Sequence, residues 1–394
     1  MAAEVLILGG GVGGTLTANL VARHAGGQAH VTLVDTTGRH VYQPGFLYVA
    51  VGQEKPANLS REESRLLRRD VELVTDAAVE VDPGARKVRL ASGQTLPYDY
   101  LVLATGSRTV MEEVPGAEAA YDFYTMDGAI RLHEALQQFA GGKILVGVAG
   151  IPYKCPPAPV EFVFLLDDYL RGRGIRDQSE IKLLSPLNRA FTIETTSKLV
   201  QPILAERDIE LCTFFNVETV DPVARMVTSL EGESFEYDLL VLVPPHRGQK
   251  LIEDSGLGDE RGWVPVDKST LKHQVFDRIW ALGDATNIPI SKSGSVAHYE
   301  APIVAEQIVA TVTGEPAPAR VYEGKVMCFL ETGHGQATTI RFDYEHPARS
   351  PRPARVWHWS KALFNKAYWY TVPQGRLPEQ RRNKWTQQSR SAST

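Results

Sequence analysis

Cys155 and Cys328 are the residues of this chain best suited to redox chemistry. Cys155 stands in the proline-rich stretch PYKCPPAPVE and Cys328 in VMCFLETGHGQA. Two thiols release an electron pair on forming a disulfide, and the disulfide takes one up by exchange, in which a thiolate attacks a disulfide sulfur. Three cysteines in 394 residues are too few and too scattered for a disulfide framework or a zinc site, so any cysteine chemistry is local. The third, Cys212, lies in the alternating stretch IELCTFFNVETV and reads as a small buried hydrophobe. Cys155 or Cys328 taken alone would read the same way, and the elements around them decide otherwise.

The first of those elements is EVLILGGGVGGTLTANLVARHAGGQAHVTLVDTTGRH, which predicts strand, tight turn, amphipathic helix and strand. Gly9, Gly11 and Gly14 form GxGxxG, allowing the turn, the close approach of backbone to a pyrophosphate and the packing of helix on strand. The pyrophosphate sits at the helix N-terminus, where free N–H groups and the dipole favour it. Asp35 ends the second strand about twenty residues further on, where an acid takes ribose hydroxyls. A second such unit is read from KILVGVAG, PAPVEFVFLLDDYLRGRG and EIKLLSP. Its turn keeps Gly147 and Gly150 but then offers Pro152, Cys155 and Pro156-Pro157, and its second strand ends in Ser185-Pro186 rather than an acid. Proline removes an N–H donor and fixes its φ. The unit therefore reads as a retired NADH site refitted around Cys155.

Composition narrows the partners. A formal net charge of −5 lacks the basic footprint that nucleic-acid binding needs. No run of 18 apolar residues appears, so no spanning helix is expected, and the N-terminus enters a strand without a signal-peptide pattern. These features predict a protein on the cytoplasmic side of the membrane.

Two later stretches, YDYLVLATGS and DRIWALGDATNI, resemble the ATG and GD motifs of the two-dinucleotide-binding-domain flavoproteins. The resemblance implies FAD in the first site, with Thr105 and Gly106 in the one motif and Gly283 and Asp284 in the other. Asp284 would meet the ribityl chain. PYKCPPAPVE, VMCFLETGHGQA, VYQPGFLYVAVG, VPPHRG and NIPISKSGSVAHYEAP then look like the sulfide:quinone oxidoreductase family. That resemblance implies Cys155 and Cys328 on one face of the isoalloxazine, bridged by a disulfide or extra sulfur atoms. Sulfide opens the bridge, leaving a persulfide on one cysteine, and the other thiolate, taken as Cys328, passes two electrons to FAD. Glu161 matches a family glutamate and is a candidate for proton transfer; the alternative is a carboxylate placed against a helix N-terminus. Lys292 and His298 are candidates for stabilising reduced flavin. Many members carry a further cysteine within the stretch that here spans 116–130, where this chain has none.

The C-terminal RVWHWSKALFNKAYWYTV predicts a helix with Val356, Trp359 or Ser360, Leu363, Ala367 and Tyr370 on one face, widened by Trp357, Phe364, Tyr368 and Trp369. Arg352, Arg355, Lys361 and Lys366 supply cations, a pattern suited to a monotopic helix in the headgroup zone. An ordinary core helix, packed on the FAD domain or on a second subunit of a homo-oligomer, is the alternative. Phe329 and Phe364 are candidates for a membrane-quinone site. The expected class is α/β, with two Rossmann-like domains and a C-terminal membrane-facing segment. An FAD domain is expected over 1–107 and 237–312, the second domain over 108–236, the segment carrying Cys328 over 313–375, and a disordered tail over 376–394. Competing functions are a type II NADH:quinone dehydrogenase, a flavocytochrome-type sulfide dehydrogenase and a non-catalytic flavin redox sensor.

Overall fold

The computed structural model describes residues 2–377; the expected tail lies almost wholly outside them. The chain begins with β1 (Ala3–Leu8), helix α1 (Val12–His24) and β2 (Ala29–Asp35), continues through the short helix α2 (Phe46–Ala50), and adds β3 (Val71–Thr75) and β4 (Tyr100–Leu103). Val5 to Leu8 and Leu101 to Leu103 are buried without alternation, as strands covered on both faces by helices must be.

The chain then leaves for a second unit: β5 (Gly142–Val148), α3 (Ala158–Gly172), β6 (Ser179–Leu184), β7 (Ile209–Cys212) and β8 (Leu239–Val243). These strands form a parallel sheet in the order β7-β6-β5-β8. The return strand β9 (Ile279–Ala281) completes the first sheet, order β9-β4-β1-β2-β3, also parallel. Helix α4 (Gly294–Thr313) follows and packs against α1. Each sheet is accompanied by a three-stranded antiparallel meander, over residues 78–97 in the first unit and 217–236 in the second.

One boundary differs from expectation. β8 pairs with β5, Leu240 opposite Leu145, so residues 239–243 belong to the second sheet and the return to the FAD unit comes after Val243 rather than at 237. The five residues LLVLV are all buried, and such a run fits the centre of either sheet, so its partner is not legible from its pattern. The two crossings between units lie side by side, Ser107–Thr109 paired antiparallel with His246–Gly248.

A hairpin, β10 (Val326–Gly333) and β11 (Gln336–Phe342), lies against α3 and α4, and the last helix, α5 (Arg355–Thr371), packs on it. The hairpin carries Cys328, opposite Ile340, back to the junction of the two units.

Candidate active site

The fingerprint turn follows directly from its glycines. Gly9 has φ +106°, and a Cβ there would strike the Ala104 carbonyl; a Cβ on Gly14 would overlap the Gly9 carbonyl oxygen. Gly11 has open space around it, at the N-cap of α1, where a phosphate can approach the backbone. Asp35 accepts from the Gly10 N–H at 2.9 Å and from the Thr37 and Gly38 N–H groups at 2.9 and 2.8 Å, so it ties the end of β2 to the turn.

Thr105 and Asp284 follow the C-terminal ends of the adjacent strands β4 and β9. The Thr105 hydroxyl and Asp284 Oδ1 are buried and have no partner, which is costly in a protein interior. Burial pushes the Asp284 carboxyl above its ordinary range, against the Lys154 and Lys292 ammonium groups. Gly106 adopts φ +66° beside open space, and Gly283, at φ +68°, donates its N–H to Glu300 Oε2 at 2.5 Å. Polar atoms awaiting partners along the carboxyl edge of a parallel sheet, beyond a glycine cradle, are what a dinucleotide needs. The residues present fit FAD.

In the second unit the cradle is replaced. The loop between β5 and α3 spans residues 149–157, and α3 starts from Pro157 without a side-chain cap. Ser185, where the acid of an NADH site would stand, donates its hydroxyl to the Arg189 carbonyl at 2.6 Å. Cys155 adopts φ +54°, an uncommon conformation for a residue with a Cβ. Its N–H donates to the Lys292 carbonyl at 2.6 Å and its carbonyl accepts from Ala158 N–H at 2.9 Å. The loop is thus tied to the segment that leads into α4.

Cys328 reaches the same segment from β10, near Ser293, the residue after Lys292; the Ser293 hydroxyl holds the thiol pKa down. Both cysteines are free thiols that keep some accessible surface although they lie deep in the protein. Burial pushes Cys328 up to about 11, with Ser293 opposing; it raises Cys155 further, with Cys328 and Glu161 adding to the rise. Cys212 stands apart on β7, and burial raises it to about 11.

Lys292 is buried, donates Nζ–H to the Thr286 and Asp284 carbonyls at 2.6 and 3.1 Å, and lies 3.7 Å from the Trp263 ring centroid. Burial lowers it to about 8. His298 is buried on α4 with its ring edge-on to Tyr299. A pocket of about 580 Å³ borders Lys292 and Trp263 and is walled by Ile151, Tyr153 and Pro156 of the Cys155 loop.

Glu161 is in the first turn of α3, but it is not a solvated cap. It is buried against Lys361 of α5, to which it is ion-paired. Burial raises the Glu161 carboxyl against the pull of Lys361, and the carboxylates of Glu161 and Glu331 hold Lys361 protonated. Lys361 is therefore not the headgroup-facing cation the sequence suggested. Tyr368 and Trp369, expected to widen the apolar face, also turn inward, packing on Tyr42 and His40. Val356, Trp359, Leu363 and Tyr370 remain exposed, with Phe364 at the edge of that stripe. Phe329 and Phe364 approach each other, ring centroids 6.4 Å apart.

Sequence reasoning passed over Tyr124 and His246. Tyr124 falls in the stretch that lacks the further cysteine, and its hydroxyl and His246 Nε2 are both buried and unpartnered, the rings 5.3 Å apart and edge-on. The unpartnered hydroxyl, with a neighbouring imidazole that burial keeps neutral, was beyond any local pattern. Among the described residues no His, Cys, Asp and Glu group is arranged to hold a metal.

Two Rossmann units joined by a paired crossover, with an FAD cradle in the first and a cysteine loop in the second, define a flavin-dependent oxidoreductase. The chain matches the pyridine nucleotide-disulphide oxidoreductase family over residues 3–301 and belongs to it. It is an FAD-binding enzyme. Mouse mitochondrial sulfide:quinone oxidoreductase is 28% identical over 353 residues, 86% of this chain and 78% of that protein. The sulfide-quinone reductase of Aquifex aeolicus is 26% identical, covering 96% and 93%. The solved structure of the sulfide:quinone oxidoreductase from that bacterium shares the fold with a TM-score of 0.84, at 23% identity and over 100% and 95% of the two chains.

Proposed function

We propose that the protein oxidises sulfide and delivers the electrons through FAD to a membrane quinone. The observation that carries this reading is the convergence of Cys155 and Cys328 on Lys292-Ser293, in a loop that has lost the features of an NADH site. In the oxidised state the two sulfurs form a bridge. HS⁻ attacks one sulfur, a new S–S bond forms as the bridge breaks, and the other sulfur departs as a thiolate. The thiol of lower pKa is the better leaving group. Cys328, the less elevated of the two, fills that role, so attack falls on Cys155 and leaves its persulfide. The Cys328 thiolate and the Cys155 persulfide then join in a trisulfide, releasing one proton and an electron pair, for which bound FAD would supply the two-electron acceptor that hands the pair on to quinone. Lys292, lowered to about 8 by burial, keeps its positive charge at neutral pH and would favour the anionic product of flavin reduction.

The acceptor side is supplied by α5. Its exposed stripe of Val356, Trp359, Leu363 and Tyr370, with Arg352, Arg355 and Lys366 exposed nearby, suits a helix lying in the headgroup zone. Among the described residues no helix is long and apolar enough to cross a membrane. Phe329 and Phe364 would bracket the quinone ring.

Anaerobic stopped-flow mixing tests the reading. Sulfide should bleach the flavin band and a short-chain quinone should restore it. Cys155→Ser and Cys328→Ser should each slow bleaching by at least about a hundredfold with FAD content unchanged. Bleaching by NADH and not by sulfide would instead indicate the type II dehydrogenase reading.

A further inference from the structure

We propose that His358 and Glu331 supply protons to the quinone face through Tyr48 and Lys361, a relay that rests on the sulfide-to-quinone reading above. The need for it is set by the chemistry. Oxidation of HS⁻ to sulfur at the zero level releases two electrons and one proton, whereas a quinone takes two electrons and two protons to become a hydroquinone. The sum is HS⁻ + H⁺ + Q → S + QH₂. One proton per turnover must be drawn from water, although the quinone would enter over the apolar side of α5.

The structure holds a series of polar contacts that leads inward from the surface of α5 towards Lys361. His358 projects from α5 with its side chain 32% exposed, and its Nδ1 lies 3.0 Å from Glu331 Oε2 on β10. Glu331 is buried, and its other oxygen, Oε1, accepts from the Tyr48 hydroxyl of α2 at 3.2 Å. Lys361 lies beside Tyr48, its Nζ 5.3 Å from the Tyr48 ring centroid. Lys361 is ion-paired with Glu161. Lys361, on the inward face of α5, stands one helical turn before Phe364 at the edge of the exposed stripe, so the two are neighbours on the helix. A buried carboxylate is costly unless it is partnered, and Glu331 has its partners on two sides: the half-exposed His358 and the Tyr48 hydroxyl beside Lys361.

The transfers balance at every step. Lys361 gives an N–H proton to the reduced quinone oxygen and takes the Tyr48 proton. Glu331, protonated on Oε2 by the His358 imidazolium, turns and hands that proton to the Tyr48 oxygen. His358 is recharged from water. Tyr48, whose acidity burial suppresses, gives and receives together and does not rest as a phenolate. His358 and Glu331 touch no substrate; they act through Lys361.

The test separates the two half-reactions of the FAD-loaded enzyme. In His358→Gln and His358→Ala, sulfide should bleach the flavin at the wild-type rate, while reoxidation by a short-chain quinone should slow about tenfold or more. Free imidazole should restore the His358→Ala rate, and the solvent deuterium isotope effect on reoxidation should rise in both variants. A purely structural role for His358 predicts neither the rescue nor the isotope effect. Without turnover, ¹⁵N-histidine spectra of wild type and Glu331→Leu should show the His358 Nδ1–H hydrogen bond present in the first and lost in the second. Wild-type reoxidation rates in both His358 variants, slowing without imidazole rescue, or identical His358 signals in the two spectra would overturn the relay. If wild-type flavin is not bleached by sulfide or not restored by quinone, the functional reading itself fails.

Discussion

At the scale of single residues, the site is built from groups held away from their ordinary protonation. Glu300 is the clearest case: fully buried, with Oε2 on the Gly283 N–H and Oε1 unpartnered, it is pushed by burial from 4.5 to about 8. A carboxyl whose folded pKa is raised contributes stability that is complete below the unfolded value and is lost as pH rises through the folded one. The loss therefore runs from about pH 4.5 to about pH 8. Glu300→Gln keeps an acceptor for Gly283 and removes the titration. The variant should match wild type near pH 4.5 and exceed it by about 1 kcal/mol or more at pH 8, as read by urea denaturation across that range. Parallel curves at all pH values would show that Glu300 is ionised in the fold.

At the scale of elements, α5 divides into two faces with different duties. Tyr368, Trp369 and Lys361 turn inward, while Val356, Trp359, Leu363 and Tyr370 are exposed. Replacing Trp359 and Leu363 together by Glu should cut binding to anionic vesicles by about tenfold or more, because both apolar burial and lipid attraction are lost. Turnover with a water-soluble quinone analogue should persist, and co-sedimentation beside a soluble assay checks both halves. Unchanged sedimentation would assign the stripe to another partner. The amphipathic period of α5 was legible in its sequence, as were the glycine turn of α1 and the proline loop before α3, since each is set by neighbours a few residues apart. The inward face was not legible. Tyr368 is held by His40, its hydroxyl 2.6 Å from Nε2 across 328 positions, and no local pattern records such a partner. The buried LLVLV of β8 fits either sheet by its pattern, and only its pairing with β5 decides between them.

At the scale of the whole molecule, the Glu161–Lys361 pair joins the second Rossmann unit to the C-terminal helix across 200 residues. Lys361→Met should destabilise the protein by about 3–5 kcal/mol, because it leaves Glu161 buried without its cation. The double variant Glu161→Gln/Lys361→Met should recover part of that loss, since no charge is then stranded; chemical denaturation of the FAD-loaded protein measures both. Equal losses in the single and double variants would show that packing, and not the charge pair, joins the two parts. The chain by itself determined the two strand–turn–helix units, the FAD cradle, the degraded second cradle and the two cysteines, because glycine, proline and hydrophobic period act within a few residues. Only the tertiary structure decided that Cys155 and Cys328 both reach the Lys292-Ser293 segment, that Lys361 turns inward to Glu161, and that buried Glu331 stands between Tyr48 and His358. Those choices depend on which distant groups share one buried volume, where an unpaired charge or polar atom is too costly to leave.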